Sequence, residues 1–239
     1  MKILLAVLLF TRFCCGLAFA VDLDLDGYYI TPKGGVSKSM DTGATNFDNG
    51  GPFNQQDEDL GTGTAFGVSA GKYITDNFRL ELEAIKRTGY ELDTTDADGN
   101  PFRYKADMET TSLFINSFYD FKPFSIGNTP ITPYLGGGIG VSRNKIGAIV
   151  AHTNEVPDGG VIDGKTISQF AYNLSAGTLF NLTDKLSLDV NYQYVNLGAF
   201  KSDTTLNISG AFCCNMNKPI NGGEIKSHAL MVGLQYKFN

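Results

Sequence analysis

The stretch Leu186-Ser187-Leu188-Asp189-Val190-Asn191-Tyr192-Gln193-Tyr194-Val195-Asn196 decides the fold. Leu186, Leu188, Val190, Tyr192 and Tyr194 fall on one side of an extended chain, and Ser187, Asp189, Asn191 and Gln193 on the other. Period-two alternation of this length marks a strand with one apolar and one polar face. The C-terminal segment repeats it: Leu230, Val232, Leu234, Tyr236 and Phe238 alternate with Ala229, Met231, Gly233, Gln235 and Lys237. So do Phe78, Leu80, Leu82 and Ala84 against Arg79, Glu81, Glu83 and Ile85, and Tyr172, Leu174 and Ala176 against Asn173, Ser175 and Gly177. Four weaker strands are expected at 27–37, 64–74, 107–121 and 132–146. In the third of these, Phe114 and Phe118 oppose Tyr119 and Phe121, so aromatics on both faces leave its register open.

The links between these eight segments alternate in length. Short ones fall at 75–77, 122–131 and 183–185, and long ones at 38–63, 93–106, 147–167 and 203–223. Short links at one end and long links at the other make four hairpins whose sheet can close on itself. The expected fold is therefore all-β, an eight-stranded antiparallel up-and-down transmembrane β-barrel with short periplasmic turns and four long outer loops. A soluble barrel is the structural rival, and it would turn the apolar faces inward. Charge decides between them, because each Arg or Lys facing lipid at the midplane costs roughly 2 to 4 kcal/mol. Arg79, Glu81, Glu83, Asp120, Asp189 and Lys237 can instead compensate one another inside the barrel. Lys86 and Arg143, on the apolar register near the long-loop end, can snorkel to headgroups. Tyr192, Tyr194, Tyr236, Phe238, Phe78, Tyr119, Phe121 and Phe180 lie toward strand ends, where an aromatic girdle sits.

The rest of the sequence fixes the compartment and removes other classes. Lys2 precedes an apolar run, and Ala18-Phe19-Ala20 is a small-x-small site, so residues 1–20 are expected to be a cleaved signal peptide and 21–239 the barrel domain. The 239 residues hold 19 basic and 25 acidic side chains; without Lys2 and Arg12 the balance is 17 to 25, a net charge of −8. A nucleic-acid partner is not expected. The mean hydropathy of −0.09 with 18% charged residues is too apolar for disorder and too polar for a helical membrane bundle.

Three segments carry a family resemblance: Asn116-Ser117-Phe118-Tyr119-Asp120-Phe121, Thr132-Pro133-Tyr134-Leu135-Gly136-Gly137-Gly138-Ile139-Gly140, and Leu234-Gln235-Tyr236-Lys237-Phe238. In this order the chain resembles the opacity-protein-like eight-stranded outer-membrane barrels of Gram-negative bacteria, over essentially all of the mature sequence. The resemblance implies surface antigens, adhesins or structural barrels. It also implies that Leu234, Tyr236 and Phe238 form the signal read by the barrel-assembly machinery, although Asn239 follows the terminal Phe here.

No constellation argues for catalysis. Arg79 is expected opposite Asp120, with Glu81 and Glu83 further along the same face. Paired carboxylates can do acid/base work, but eight strands leave little room for a substrate. Ser227 and His228 are adjacent, so alternation sends them to opposite faces. Asp96, Asp98 and Gly99 suggest a calcium loop, yet Lys105 stands where such loops carry Glu. No enzyme activity, cofactor or metal is expected. Cys213 and Cys214 are a candidate redox pair: adjacent Cα atoms lie about 3.8 Å apart, below the usual disulfide span of about 4.4 Å or more. Disulfides to another exported protein, metal capture and two unpaired thiols are the alternatives to a strained ring between them, and in an oxidising compartment intermolecular cross-linking is one expectation. The long loops, rich in Gly, Asn, Thr and Asp, are expected to be solvated, mobile segments. The expected function is a monomeric surface antigen or adhesin that contacts outer-membrane lipids with its wall and a host or matrix ligand with its loops. A structural envelope barrel, a narrow channel and a secreted lipocalin-like carrier are the alternatives.

Overall fold

A computed structural model describes residues 25–40, 60–95, 103–127, 129–152, 160–208, 211–215 and 219–238. The expected leader, the proposed calcium-loop residues Asp96, Asp98 and Gly99, most of the first long loop and Asn239 lie outside the described residues. The strands are β1 (Tyr28–Ser39), β2 (Thr62–Tyr73), β3 (Phe78–Thr95), β4 (Arg103–Asp120), β5 (Phe124–Ile126), β6 (Thr129–Ile146), β7 (Ile149–His152), β8 (Val161–Ile162), β9 (Lys165–Asn181), β10 (Leu186–Lys201), β11 (Thr205–Ile208), β12 (Ala211–Asn215) and β13 (Asn221–Lys237).

Eight of them form the barrel, each antiparallel to its neighbours, in the order β1, β2, β3, β4, β6, β9, β10, β13. The ring closes twice over. β1 pairs with β13 from Tyr29↔Lys237 to Ser39↔Ser227, and β4 pairs with β6 from Met108↔Ile146 to Asp120↔Tyr134. Closure gives every backbone polar group in the band a partner strand, which a membrane interior demands. Among the described residues no helix is long and apolar enough to cross a membrane; the strands form the wall.

Face polarity follows the sequence alternation. Leu230, Val232, Leu234, Leu113, Ile115, Ile139 and Phe170 point outward and are 43 to 65% exposed, whereas Asp189, Asn191, Gln193, Glu81, Glu83 and Asn116 point inward and are buried. The soluble-barrel arrangement is thereby excluded. The ambiguous strand resolves the same way, with Phe114 and Phe118 inside and Tyr119 and Phe121 outside.

Three features differ from the sequence expectations. Several strands are longer than a membrane needs: β3, β4 and β6 have 18 residues, or roughly 45 Å along the membrane normal at about 3.3 Å per residue and 40° tilt, against an apolar band of about 25 Å. They continue well beyond the bilayer on the long-loop side. Next, the third and fourth long connections are not merely solvated segments, since they contain β7, β8, β11 and β12. These continue the barrel sheet from the tip of β4 in the order β4, β7, β8, β11, β12. Last, the outer part of the lumen is apolar. Tyr90, Leu92, Met108, Phe114, Ile146, Val195, Leu197, Phe200 and Ile225 pack there with Leu60, Ile149, Ile162 and Ile220 from the connections.

Bulges on β3 and β10 turn part of that apolar plug inward. On β3 the inward residues are odd-numbered from Arg79 to Arg87; a register shift between Arg87 and Tyr90 then turns Tyr90 and Leu92 inward and Glu91 and Asp93 outward. Gly89 sits in the shift with φ +84°, in the left-handed region. Gly198, at φ +72°, does the same on β10, where the shift between Asn196 and Ala199 aims Phe200 into the lumen. An extra residue with positive φ is how a strand changes the phase of its side chains without leaving its partner.

The left-handed backbone makes Gly89 intolerant of a branched side chain. Gly89→Val is expected to destabilise the barrel by about 1 to 2 kcal/mol, read as a lower urea midpoint for loss of the folded band on cold gels. An unchanged midpoint would show that the bulge relaxes at no cost.

Candidate functional site

The lower lumen is a continuous ionic network. Arg79, 1% exposed, donates from Nε to Asp120 Oδ1 at 3.0 Å and from Nη1 to Tyr29 Oη at 3.0 Å. Tyr29 in turn donates to Glu81 Oε2 at 3.0 Å. Lys33 Nζ joins Glu81 (3.4 Å) to Glu83 (2.8 Å). Gln193 Nε2 donates to Glu83 Oε1 at 3.1 Å and accepts on Oε1 from Arg87 Nη2 at 2.7 Å. Tyr134 donates to Asp189 Oδ1 at 2.6 Å. The guanidinium of Arg79 lies over the rings of Phe118 and Tyr134, at 4.3 and 4.5 Å from their centroids. Residues from β1, β3, β4, β6 and β10 are thus tied across the barrel axis.

Arg79, Glu81, Glu83 and Asp120 come together on the inward face, in a register different from the expected one. Arg79 is opposite Phe118, not Asp120, because the hairpin pairs Phe78 with Tyr119. Asp120 reaches Arg79 diagonally, over the space that the opposite Phe118 ring roofs. Asp189 enters through Tyr134. Lys237 stays outside the network: its ammonium caps the periplasmic mouth 4.2 Å over the Tyr73 ring, and Tyr73 donates to Asp120 Oδ2 at 3.1 Å. Lys33, Arg87 and Tyr29 escaped the sequence reading, and Gln193, placed on the polar face, and Tyr134 were not assigned to the network. Continuing the parity of β3 by one step would have found Arg87. The parity of β1, Tyr29 to Thr31 to Lys33, is obscured by Pro32 and the Gly34-Gly35 pair.

The other predicted residues lie elsewhere. Leu234 and Tyr236 face outward on β13, and the Tyr236 ring meets that of Phe238 edge-on at 5.2 Å. Ser227 is fully buried in the lumen while His228 faces outward and bonds through Nδ1 to the Tyr192 hydroxyl at 2.5 Å, so the two cannot act on one substrate. Among the described residues no cluster of three or more His, Cys, Asp or Glu could hold a metal ion. Cys213 and Cys214 fall in β12 and are described by their backbone alone.

Beyond the bilayer, the extended tips of β3 and β4 and the added strands make an outer platform. Ile149 pairs with Ile162, and Leu206 with Ile162, so β8 is held between β7 and β11. Ile149 and Ile162 plunge into the apolar plug, which anchors the platform to the barrel. Ionic groups dress its solvent side. Arg103 binds Asp93 in bidentate fashion, from Nε at 2.5 Å and Nη2 at 2.6 Å, and holds that carboxyl below the usual carboxylate range. The Thr204 amide, helped by Lys165, does the same to Asp203. With a lumen filled by ions below and by hydrocarbon above, the chemistry available to partners is on this platform and on the lipid-facing wall.

Comparison with known proteins agrees with that layout. The family model described as outer membrane protein beta-barrel domain matches residues 6–238. A protein of Rickettsia conorii named "Putative adhesin" is 29% identical over 184 residues, covering 73% of this chain and 68% of the relative. One of the same name from Rickettsia bellii is 26% identical over 252 residues, covering 98% and 97%. The crystal structure of the outer membrane protein OprG from Pseudomonas aeruginosa superposes with a TM-score of 0.60 at 18% identity, covering 90% of this chain and 97% of that one, a likeness of fold.

Arg79 is the hub of the lumen, and removing a buried ion's partner is far costlier than removing both. Arg79→Leu is expected to cost about 3 to 5 kcal/mol, and Arg79→Leu combined with Asp120→Leu distinctly less than the sum of the single changes. Urea unfolding of the four proteins in one detergent completes the cycle, and simple additivity would mean the two side chains do not act as a pair.

Proposed function

The chain belongs to the outer membrane protein β-barrel domain family and is an integral barrel of the bacterial outer membrane, and from this we propose that its work is display: the barrel holds a rigid outer platform that binds a host or matrix ligand, as a surface adhesin. The observation that carries this reading is the apolar plug. Solvent-exposed loops need no such anchor, whereas Leu60, Ile149, Ile162, Phe200 and Ile220 bind three of the four long connections to the inside of the barrel. Burying side chains of this size contributes roughly 1.5 to 3 kcal/mol each, so the platform keeps one shape, and a fixed shape lowers the ordering cost of binding. The naming of two relatives supports the same reading.

In this account the protein performs no chemistry and acts as a monomer, the barrel-assembly machinery reads the outward Leu234, Tyr236 and Phe238, and Cys213 with Cys214 can cross-link to another exported chain. A narrow channel is the less favoured reading. Arg79, Glu81, Lys33 and Glu83 are linked by ion pairs, Glu83 and Arg87 on β3 meet Gln193 on β10 at the opposite side of the ring, and the plug lies above them.

Excision of residues 204–218, replaced by a short Gly-Ser link, is expected to abolish adhesion of bacteria expressing the protein to host cells or matrix while the barrel keeps its heat-modifiable gel mobility. Adhesion that survives this and the matching excision of 148–163 would point to a structural envelope role. Planar-bilayer recordings on the purified wild type are expected to show no stable large conductance, and a steady open level would restore the channel.

A further inference from the structure

The outward face of β3, β4, β6 and β9 is built in rows. At the base, Phe78 pairs with Tyr119 and Tyr119 with Leu135. Higher up, Ala84, Leu113, Val141 and Phe170 form one apolar row across the four strands. The next row is Lys86, Thr111, Arg143 and Ser168, and the one above it contains Glu109 and Lys145. Eight residues separate Phe78 from Lys86 and Leu135 from Arg143, which is roughly 20 Å along the membrane normal, and Lys145 comes at about 25 Å. An apolar band of about 25 Å therefore ends in these rows. The three cations stand at the outer-leaflet headgroups.

Their internal pairing is incomplete. Glu109 bridges Lys86 at 3.0 Å and Lys145 at 3.3 Å, and among the described residues no carboxylate pairs with Arg143. Within these two rows three positive groups against one negative leave a net charge of +2 on a patch two strand spacings wide, about 10 Å; the next outward row carries Glu91 opposite Asp107, with Glu91 paired to Lys105 at 3.5 Å. The far wall is different at this height, where the outward residues are Tyr192, Tyr194 and His228 on β10 and β13, with Lys38 on β1. A second feature lies below the cations on the same strands. Ser117 and Gly137, paired across β4 and β6, make a depression between Ile115, Ile139 and Leu174, a groove of about 710 Å³ open to the lipid.

We propose that Lys86, Arg143 and Lys145 form a binding site for the phosphate of a lipid A-type glycolipid in the outer leaflet, with an acyl chain of the same molecule lying in the Ser117–Gly137 groove. The membrane itself narrows the occupant, since a wall-facing patch at this height meets lipid headgroups. Arg143 can grip a phosphate with two parallel N–H donors, and the two lysines add point charges. Thr111 and Ser168 flank Arg143 with hydroxyls. Glu109 bridges the two lysines and holds both ammonium groups on one carboxylate. The groove beneath distinguishes an amphiphile from a free anion, which would use the cations alone.

The test is native mass spectrometry of the full barrel in detergent with added bisphosphorylated lipid A. Wild type is expected to retain the lipid, and Lys86→Gln/Arg143→Gln/Lys145→Gln to retain it roughly tenfold or more weakly, with heat-modifiable gel mobility intact. Lys38→Gln on the far wall is expected to change nothing. Ser117→Leu, which fills the groove from a position that already carries an outward side chain and leaves the charges alone, is expected to weaken lipid A and leave inorganic phosphate binding as it was. The proposal is overturned if the triple variant holds lipid A as well as wild type, if lipid A stripped of both phosphates binds equally, or if phosphatidylglycerol binds as tightly as lipid A.

Discussion

Ring closure is the constraint from which the rest of this molecule follows. A membrane interior offers no water to an unpaired N–H or C=O, so the sheet must have no edge there, and the β4–β6 and β1–β13 seams remove it. A ring of eight strands leaves an interior only wide enough for side chains. Whatever points inward must fill that space and satisfy itself, and whatever points outward must suit lipid. Both faces of every strand are then committed, which is why the alternation is so regular between residues 186 and 196.

The interior meets that demand in two ways at two heights. Toward the periplasm, carboxylates and cations from four strands neutralise one another, with aromatic rings facing the guanidinium of Arg79 where it lacks further acceptors. Buried ion pairs of this kind add little net stability over hydrocarbon, but they tie strands distant in sequence into one register. Toward the outside the filling becomes apolar at the Gly89 and Gly198 bulges. The hydrocarbon there serves the connections as well as the barrel, because it offers Leu60, Ile149, Ile162 and Ile220 a place to be buried. A lumen that was ionic throughout would have left those connections nothing to pack on.

The outer wall is also differentiated. Its apolar rows end in aromatic groups on the β10 and β13 side and in Lys86, Arg143 and Lys145 on the β3 to β6 side, so the barrel meets the outer-leaflet headgroups asymmetrically. Such a barrel has a preferred side toward a phosphorylated lipid, while its platform faces outward solvent. The two surfaces serve different partners and share strands β3, β4 and β6, whose 18-residue length lets one element cross the bilayer and continue beyond it.

The amino-acid pattern alone shows the strand count, the polarity of both faces and the end from which the loops project, because period-two alternation and loop length are local properties and lipid tolerates one polarity alone. It also placed Arg79, Glu81, Glu83, Asp120 and Asp189 on the inward face, since parity within a strand is enough for that. It could not give the two-residue offset that puts Phe118 opposite Arg79, nor the phase changes at Gly89 and Gly198, because one inserted residue leaves the apolar pattern readable in either phase. That β7, β8, β11 and β12 pair with one another was settled by packing in three dimensions, as these short segments owe their pairing to the tip of β4 and to a hydrocarbon plug assembled from residues far apart in the chain. Local pattern sets which way a side chain points. The neighbour it meets depends on register, and register is settled when the ring closes.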